Sequence, residues 1–194
     1  MPKDKDRIEE QLAGAAQGLQ EIAWILNSHV VKWFLACGAL LGAYRDGDLI
    51  PWDWDIDIEI DRGTLQPTWQ AVVKDMEKAG FFVEEMLHKK KISKIRGKKY
   101  GMTYALRVWS YDTDDGYYKM RRPECKLPAS LFDDTGRIEL RGVVYPCPAD
   151  IEGYLEWVYG DWRTVIRETN YRHYTTDQFT PRGRIKGGWL KNEI

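Results

Sequence analysis

The sequence predicts one α+β domain, and three observations predict it. An apolar stripe with helical spacing opens the chain, a series of short apolar runs bounded by turn residues follows it, and neither an internal repeat nor a linker divides the 194 residues. That length supports one domain with a proper core and is short for two. Hydrophobic residues at 43% and charged residues at 30% describe an ordinary soluble globular chain.

In order along the chain, Ile8, Leu12, Ala15, Leu19, Ile22 and Leu26 recur at three- and four-residue steps and predict a helix over 6–28, with Asp6 as N-cap and Glu9 three residues on. Val31 to Ala36 reads as a buried strand ending at the small-residue turn Cys37-Gly38-Ala39, and Leu40 to Tyr44 as a short helix. Arg45-Asp46-Gly47-Asp48 is a turn by composition. Pro51 then introduces a strand that carries Asp53, Asp55 and Asp57. Thr64 to Ala79 returns to helical spacing, with Pro67 in its first turn and Gly80 as its stop. Phe81–Met86, Lys91–Arg96 and Met102–Trp109 are three strand candidates, and the lysines at 89–91 and 98–99 read as a solvated face. Asp112 to Gly116 and Asp133 to Gly136 are turns, Arg137 to Tyr145 a further strand, and Asp150 caps a last helix stopped by Gly160. The polar, basic tail 171–194 is expected to be largely irregular.

Bulk charge excludes some functions. With 29 basic against 30 acidic residues the net charge is −1, so general electrostatic capture of nucleic acid is not expected. Cys37, Cys125 and Cys147 are an odd count without CxxC spacing, which argues against a disulfide framework or a zinc knuckle. The opening MPKDKDRIEEQ lacks the apolar core of a signal peptide, and no apolar run reaches the roughly 18 residues of a membrane span. A cytoplasmic address is the expectation. Nine Trp and eleven Tyr serve packing first, with ring faces for a base or sugar as the sharper alternative.

The chemistry concentrates between Trp33 and Ile60. In an extended strand alternate residues share a face, about 6.6 Å apart, so Trp54, Ile56 and Ile58 are expected to pack inward while Asp53, Asp55 and Asp57 project together, with Glu59 and Asp61 continuing their face. Acids are poor strand formers and like charges on one face repel. Cations among them relieve the repulsion, so Asp53, Asp55 and Asp57 read as ligands of Mg²⁺ or Mn²⁺. A calcium EF-hand fails, because counting from Asp53 the loop's glycine position holds Ile58 and its closing glutamate position holds Thr64. Walker A, GxGxxG, HExxH and GxSxG patterns are missing, and His29, His88 and His173 are scattered. Metal-assisted phosphoryl displacement remains, with Gly38 and Ala39 offering backbone N–H groups to a donor phosphate and Arg45 placed to meet its charge or to serve as a surface ion pair. Trp52 is a candidate ring for stacking on a cytosine or polyol.

The stretch FLACGALLGAYRDGDLIPWDWDID resembles the LicD family, which includes the fukutin-related proteins, and YPCPADIEGYLEWVYGDW is similar to the family's closing element. Together with the opening helix these cover most of residues 6–165. The resemblance implies a nucleotidyltransferase fold of the polymerase-β type, a mixed sheet flanked by helices. It also implies transfer of a phosphorylated alcohol, such as phosphocholine or ribitol phosphate, from a CDP-linked donor to a sugar hydroxyl of a glycan. In that likeness Asp55 and Asp57 resemble the paired metal ligands, Asp53 the first acid of the run, and Gly38 and Ala39 the phosphate-holding turn, with Ala39 where the family more often has Ser or Thr. The family's further aspartate on a later strand has Arg107 as its counterpart here. Asp112 or Glu139 could supply the charge instead, or the strand carries a cation that offsets Asp53 and Asp55. Nucleotidyl transfer from an NTP and a catalytically silent binding module are the alternatives to be separated.

Overall fold

The computed structural model describes residues 8–114, 116–119, 126–165 and 167. The expected tail 171–194 and Cys125 lie outside them. Helix α1 (Glu9–Ser28) buries Leu12, Ala15, Leu19, Ile22 and Leu26 along one side, and Ile8 rather than Asp6 stands at its N-cap. There the Gln11 side chain accepts the Ile8 backbone N–H at 3.2 Å. Strand β1 (Trp33–Leu35), helix α2 (Cys37–Arg45) and strand β2 (Asp55–Asp61) follow.

The single helix expected over Thr64–Ala79 is two, α3 (Arg62–Leu65) and α4 (Trp69–Lys78). Pro67 lies between them, and without an N–H it cannot carry a helical ladder across. Asp61 caps α3, accepting the backbone N–H groups of Gly63 and Thr64 at 3.0 Å each. Then come β3 (Phe82–His88), β4 (Lys91–Lys99) and β5 (Met102–Asp112), each longer than its apolar run suggested. Short elements β6 (Tyr117–Lys119), β7 (Lys126–Pro128) and α5 (Ser130–Asp133) carry no periodic signal in the sequence.

The strand expected at Arg137–Tyr145 is a hairpin of β8 (Thr135–Leu140) and β9 (Val143–Pro148). Arg141 and Gly142 turn it with φ of 50° and 77°, the paired left-handed geometry that two-residue hairpin loops require. Helix α6 (Ile151–Tyr159) is capped by Asp150, whose carboxylate accepts the Gly153 N–H at 2.8 Å, and it ends at Gly160 with φ 76°.

The main sheet is mixed, in the order β1-β2-β5-β4-β3, with β6 extending β5 and β7 pairing β6. Only β2 and β5 run parallel within that order. Ile56, Ile58, Ile60, Leu106 and Val108 share one buried face. On this side α1 lies close: the Tyr104 hydroxyl donates to the Ala15 carbonyl at 2.9 Å, and a Cβ on Gly18 would stand 2.0 Å from that hydroxyl oxygen. Helix α4 presses there too, with Met76 against Gly97. The opposite face carries the acids. Its inner half is roofed by Phe34, which contacts Phe132 and Tyr154 at ring separations of 4.9 and 5.9 Å. Its outer half holds Asp55 and Asp57, which keep part of their surface in solvent.

Candidate active site

The acid face of β2 divides into three kinds of carboxylate. Asp61 is spent on capping α3. Glu59 is fully buried, ion-paired to the equally buried Arg107 and bonded by the Trp109 indole N–H. Asp55 and Asp57 remain together at the outer end, on alternate positions of one face. Burial, then the charges of Asp57 and Asp53, push the Asp55 carboxyl well above the usual carboxylate range, and Arg107 and Lys94 relieve this only in part.

The turn at Cys37–Ala39 opens α2 beside them. Cys37 adopts φ 48°, a left-handed conformation that costs energy in a residue with a side chain. Its buried Sγ accepts from Arg107 Nη2 at 2.9 Å and lies 3.7 Å from the Tyr154 hydroxyl. Burial above all pushes that thiol up, so it stays a neutral packing group. Gly38 comes so close to Asp53 that an added Cβ would stand 1.8 Å from Asp53 Oδ2. Asp53 precedes β2, and its other oxygen accepts the Trp54 N–H at 2.9 Å.

Asp53 lies against the first turn of α2, where the helix's unsatisfied N–H groups attract negative charge, and its charge still acts on Asp55. Among the described residues no three His, Cys, Asp or Glu side chains are arranged to hold a metal ion. The donor set that remains, Asp55 and Asp57, fits Mg²⁺ or Mn²⁺ in one specific sense. Such ions commonly bind one or two carboxylates and take their other ligands from substrate phosphates and water.

Register explains the missing further carboxylate. Strand β5 runs parallel to β2 and sets Thr103 beside Asp55, Ala105 beside Asp57 and Arg107 beside Glu59. Arg107 Nε also lies 3.6 Å from Asp57 Oδ1. The offsetting cation is therefore real: Arg107 pairs with Glu59 and Asp57, and its charge also acts on Asp55. Neither alternative acid reaches the site. Asp112, at the far end of β5, pairs with Lys119 at 2.6 Å, and Glu139 is exposed on β8.

The remaining candidates scatter. Arg45 closes α2 about 10 Å along its axis from Gly38, gripped by Asp46 at 2.8 and 2.7 Å. Trp52 packs partly against the core, and the Arg167 guanidinium lies 4.3 Å from its ring centroid. Trp54, expected to point inward, is 38% exposed because β2 starts only at Asp55 and the alternation does not extend back to it.

Comparison with known proteins adds the following. Over 39 residues the chain is 46% identical to "Ribitol 5-phosphate transferase FKRP" of Mus musculus and of Homo sapiens; the stretch covers 20% of this chain and 8% of each relative. Among solved structures it is similar to the crystal structure of ANT(2")-Ia in complex with adenylyl-2"-tobramycin, with a TM-score of 0.49 and 15% identity over 84% of this chain and 86% of that one. A solution structure of ANT(2'')-Ia matches at the same TM-score, 0.49, with 13% identity over 84% of this chain and 79% of that one. No helix among the described residues is long and apolar enough to cross a membrane. The model of the LicD/FKTN/FKRP nucleotidyltransferase domain matches residues 30–150, from the turn before β1 through the β8–β9 hairpin, and the chain belongs to that family.

Proposed function

We propose that this chain transfers a phosphorylated alcohol, of the ribitol phosphate or phosphocholine kind, from a CDP-linked donor to a sugar hydroxyl, with a single Mg²⁺ or Mn²⁺ between Asp55 and Asp57. The observation that carries the reading is the pairing of those two carboxylates on one open face beside the first turn of α2. A short match to a ribitol 5-phosphate transferase supports the choice of transferred group.

When bound, the divalent ion would neutralise developing charge on the transferred phosphoryl group. The chain's own residues do the rest. Asp55 and Asp57 would hold that ion on the open face of β2. Gly38, lacking a side chain, lets the α2 backbone approach the donor's phosphates, as it already approaches Asp53 Oδ2. Arg107 holds Asp57 in place and fixes Cys37 at the α2 turn. The acceptor oxygen forms the new P–O bond, the bond to the bridging oxygen breaks, CMP leaves with the electron pair, and the hydroxyl proton is released. Arg107, buried where the family places another acid, supports one ion rather than two, because a fixed guanidinium already supplies positive charge there.

Asp55→Asn and Asp57→Asn should each abolish metal-dependent turnover of a CDP-linked donor while leaving the fold intact, and full activity in either variant sinks the assignment. Mn²⁺ titration followed by electron paramagnetic resonance should give one tight ion per chain with CDP present. The family's description as a nucleotidyltransferase domain favours a second reading, nucleotidyl transfer from an NTP. Thermal-shift screening separates the two: CDP and CTP should stabilise the chain selectively under the first, ATP or GTP under the second. Nucleotide binding with no uptake of Mg²⁺ or Mn²⁺, with or without CDP, would favour a catalytically silent nucleotide-binding module.

A further inference from the structure

Lys98, which reads as solvated surface in the sequence, falls in three dimensions together with Lys94 and Arg96 on the face that carries the carboxylates. Laterally paired residues of a sheet project to the same side, so register assigns the rows. Asp55, Thr103, Lys98 and Phe82 form one; Asp57, Ala105, Arg96 and Glu84 the next; Glu59, Arg107, Lys94 and Met86 the third. Two strand spacings, about 9.6 Å, separate the acids of β2 from the cations of β4. Between them lie the small side chains of Thr103 and Ala105 in the first two rows and the buried Arg107 in the third. Acids from one wall and cations from the other therefore lean over the same narrow floor.

The cations are poorly used by the protein itself. Arg96 and Lys98 share one acid, Glu84, at 3.4 and 3.6 Å, and such partly exposed pairs contribute little. Lys94, half-buried, makes no ion pair among the described residues, yet its charge acts on Asp55 across the floor. Three cations against one acid leave this wall positive, and they stand at alternate positions so that all three point the same way.

We propose that Lys94, Arg96 and Lys98 form an anion subsite that receives a phosphate group of a substrate, beside the carboxylate pair and separate from the α2 turn. The subsite rests on the functional reading above for its purpose, since a phosphate held there reaches the reacting end of β2, but its existence is tested without that reading. The phosphate belongs either to the donor's diphosphate or to a phosphorylated acceptor; the ligand chemistry is the same, and the measurement tells them apart.

Calorimetric titration of the whole chain with inorganic pyrophosphate, and separately with CDP plus Mg²⁺, reads the subsite directly. In Lys94→Glu/Lys98→Glu, pyrophosphate affinity should fall about tenfold or more, as loss of charge-assisted hydrogen bonds demands, and Lys94→Gln/Lys98→Gln should show a smaller loss. Lys74→Glu/Lys78→Glu on α4, behind the sheet, makes the same change in net charge and should leave pyrophosphate binding within twofold of the parent. A parallel fall in CDP affinity assigns the phosphate to the donor. CDP affinity unchanged, with pyrophosphate still binding beside CDP, assigns it to the acceptor. Pyrophosphate binding that is absent in the parent, or within twofold of it in Lys94→Glu/Lys98→Glu, overturns the subsite. Failure of CDP alone, with pyrophosphate behaving as expected, overturns the donor assignment and leaves the subsite standing.

Discussion

The two ends of β2 carry the same pattern and lead opposite lives. At the inner end Glu59 is enclosed under Phe34 and Tyr154, yet it is matched by Arg107 and by the Trp109 N–H, and Asp61 is matched by two backbone N–H groups. At the outer end Asp55 stands beside Asp57 with Asp53 close by, and burial together with their charges outweighs the relief that Arg107 and Lys94 give it. A buried carboxylate with partners serves the fold, whereas a crowded one without enough of them weakens it. The difference marks the outer end of the strand as the place where burial and neighbouring charge work against a carboxylate.

The largest effect should come from breaking the inner end. Arg107→Leu leaves Glu59 charged in an apolar enclosure and should destabilise the chain by about 3–5 kcal/mol, measured by urea denaturation. Adding Glu59→Leu should recover much of that loss, since replacing both members of a buried pair is far milder than replacing one. A double variant no better than the single would mean that Arg107 acts through Cys37 and Asp57 more than through Glu59. Asp61→Ala comes next, at about 1 kcal/mol for the lost cap of α3.

How much of this contrast could be read from the sequence follows from range. The alternation of acids, the small-residue turn, the long apolar stripe of α1 and the Asp150 and Gly160 ends of α6 are local signals, and the structure carries each of them. Which acids find partners is decided by the register of β2 on β5, joining residues about 48 positions apart, and no local pattern encodes it. The same holds for Lys94, Arg96 and Lys98: of the three only Lys98 carries a reading from the sequence, as solvated surface, and only the placement of β4 two strands from the acids groups them. Asp53 differs for another reason: its spacing continues the alternation, but β2 begins only at Asp55 and Asp53 lies against Gly38 of α2. The hairpin turn at Arg141-Gly142 was missed because only its second residue is a turn former.

Asp55→Asn tests the outer end from the other side. Removing one of the crowded charges should leave the metal-free chain as stable as the parent or more stable, by up to about 1 kcal/mol, while the stabilisation that Mg²⁺ with CDP confers on the parent disappears. A clear destabilisation of the metal-free chain would mean that Asp55 has partners that offset its burial, and the contrast with Glu59 would vanish.

The smallest effect sharpens the comparison at the surface, where a carboxylate is paired but exposed. Arg141 forks between Asp48, at 2.5 and 2.6 Å, and Glu9, tying the hairpin turn to the loop before β2 and to the start of α1. The guanidinium's hydrogen bonds, chief among the causes, hold the Asp48 carboxyl below its ordinary value of 3.8. A folded-state value below the unfolded one adds stability that is complete above pH 3.8 and is lost as pH falls through the depressed value. With Asp48 39% exposed, solvent screening limits the pair to under about 1 kcal/mol. Arg141→Met should therefore lower the melting temperature slightly at pH 7 and by less at pH 2, because the pair's contribution is lost as pH falls toward the depressed Asp48 value. An equal loss at both pH values would show that Arg141 matters for the left-handed turn it occupies rather than for the acids it joins.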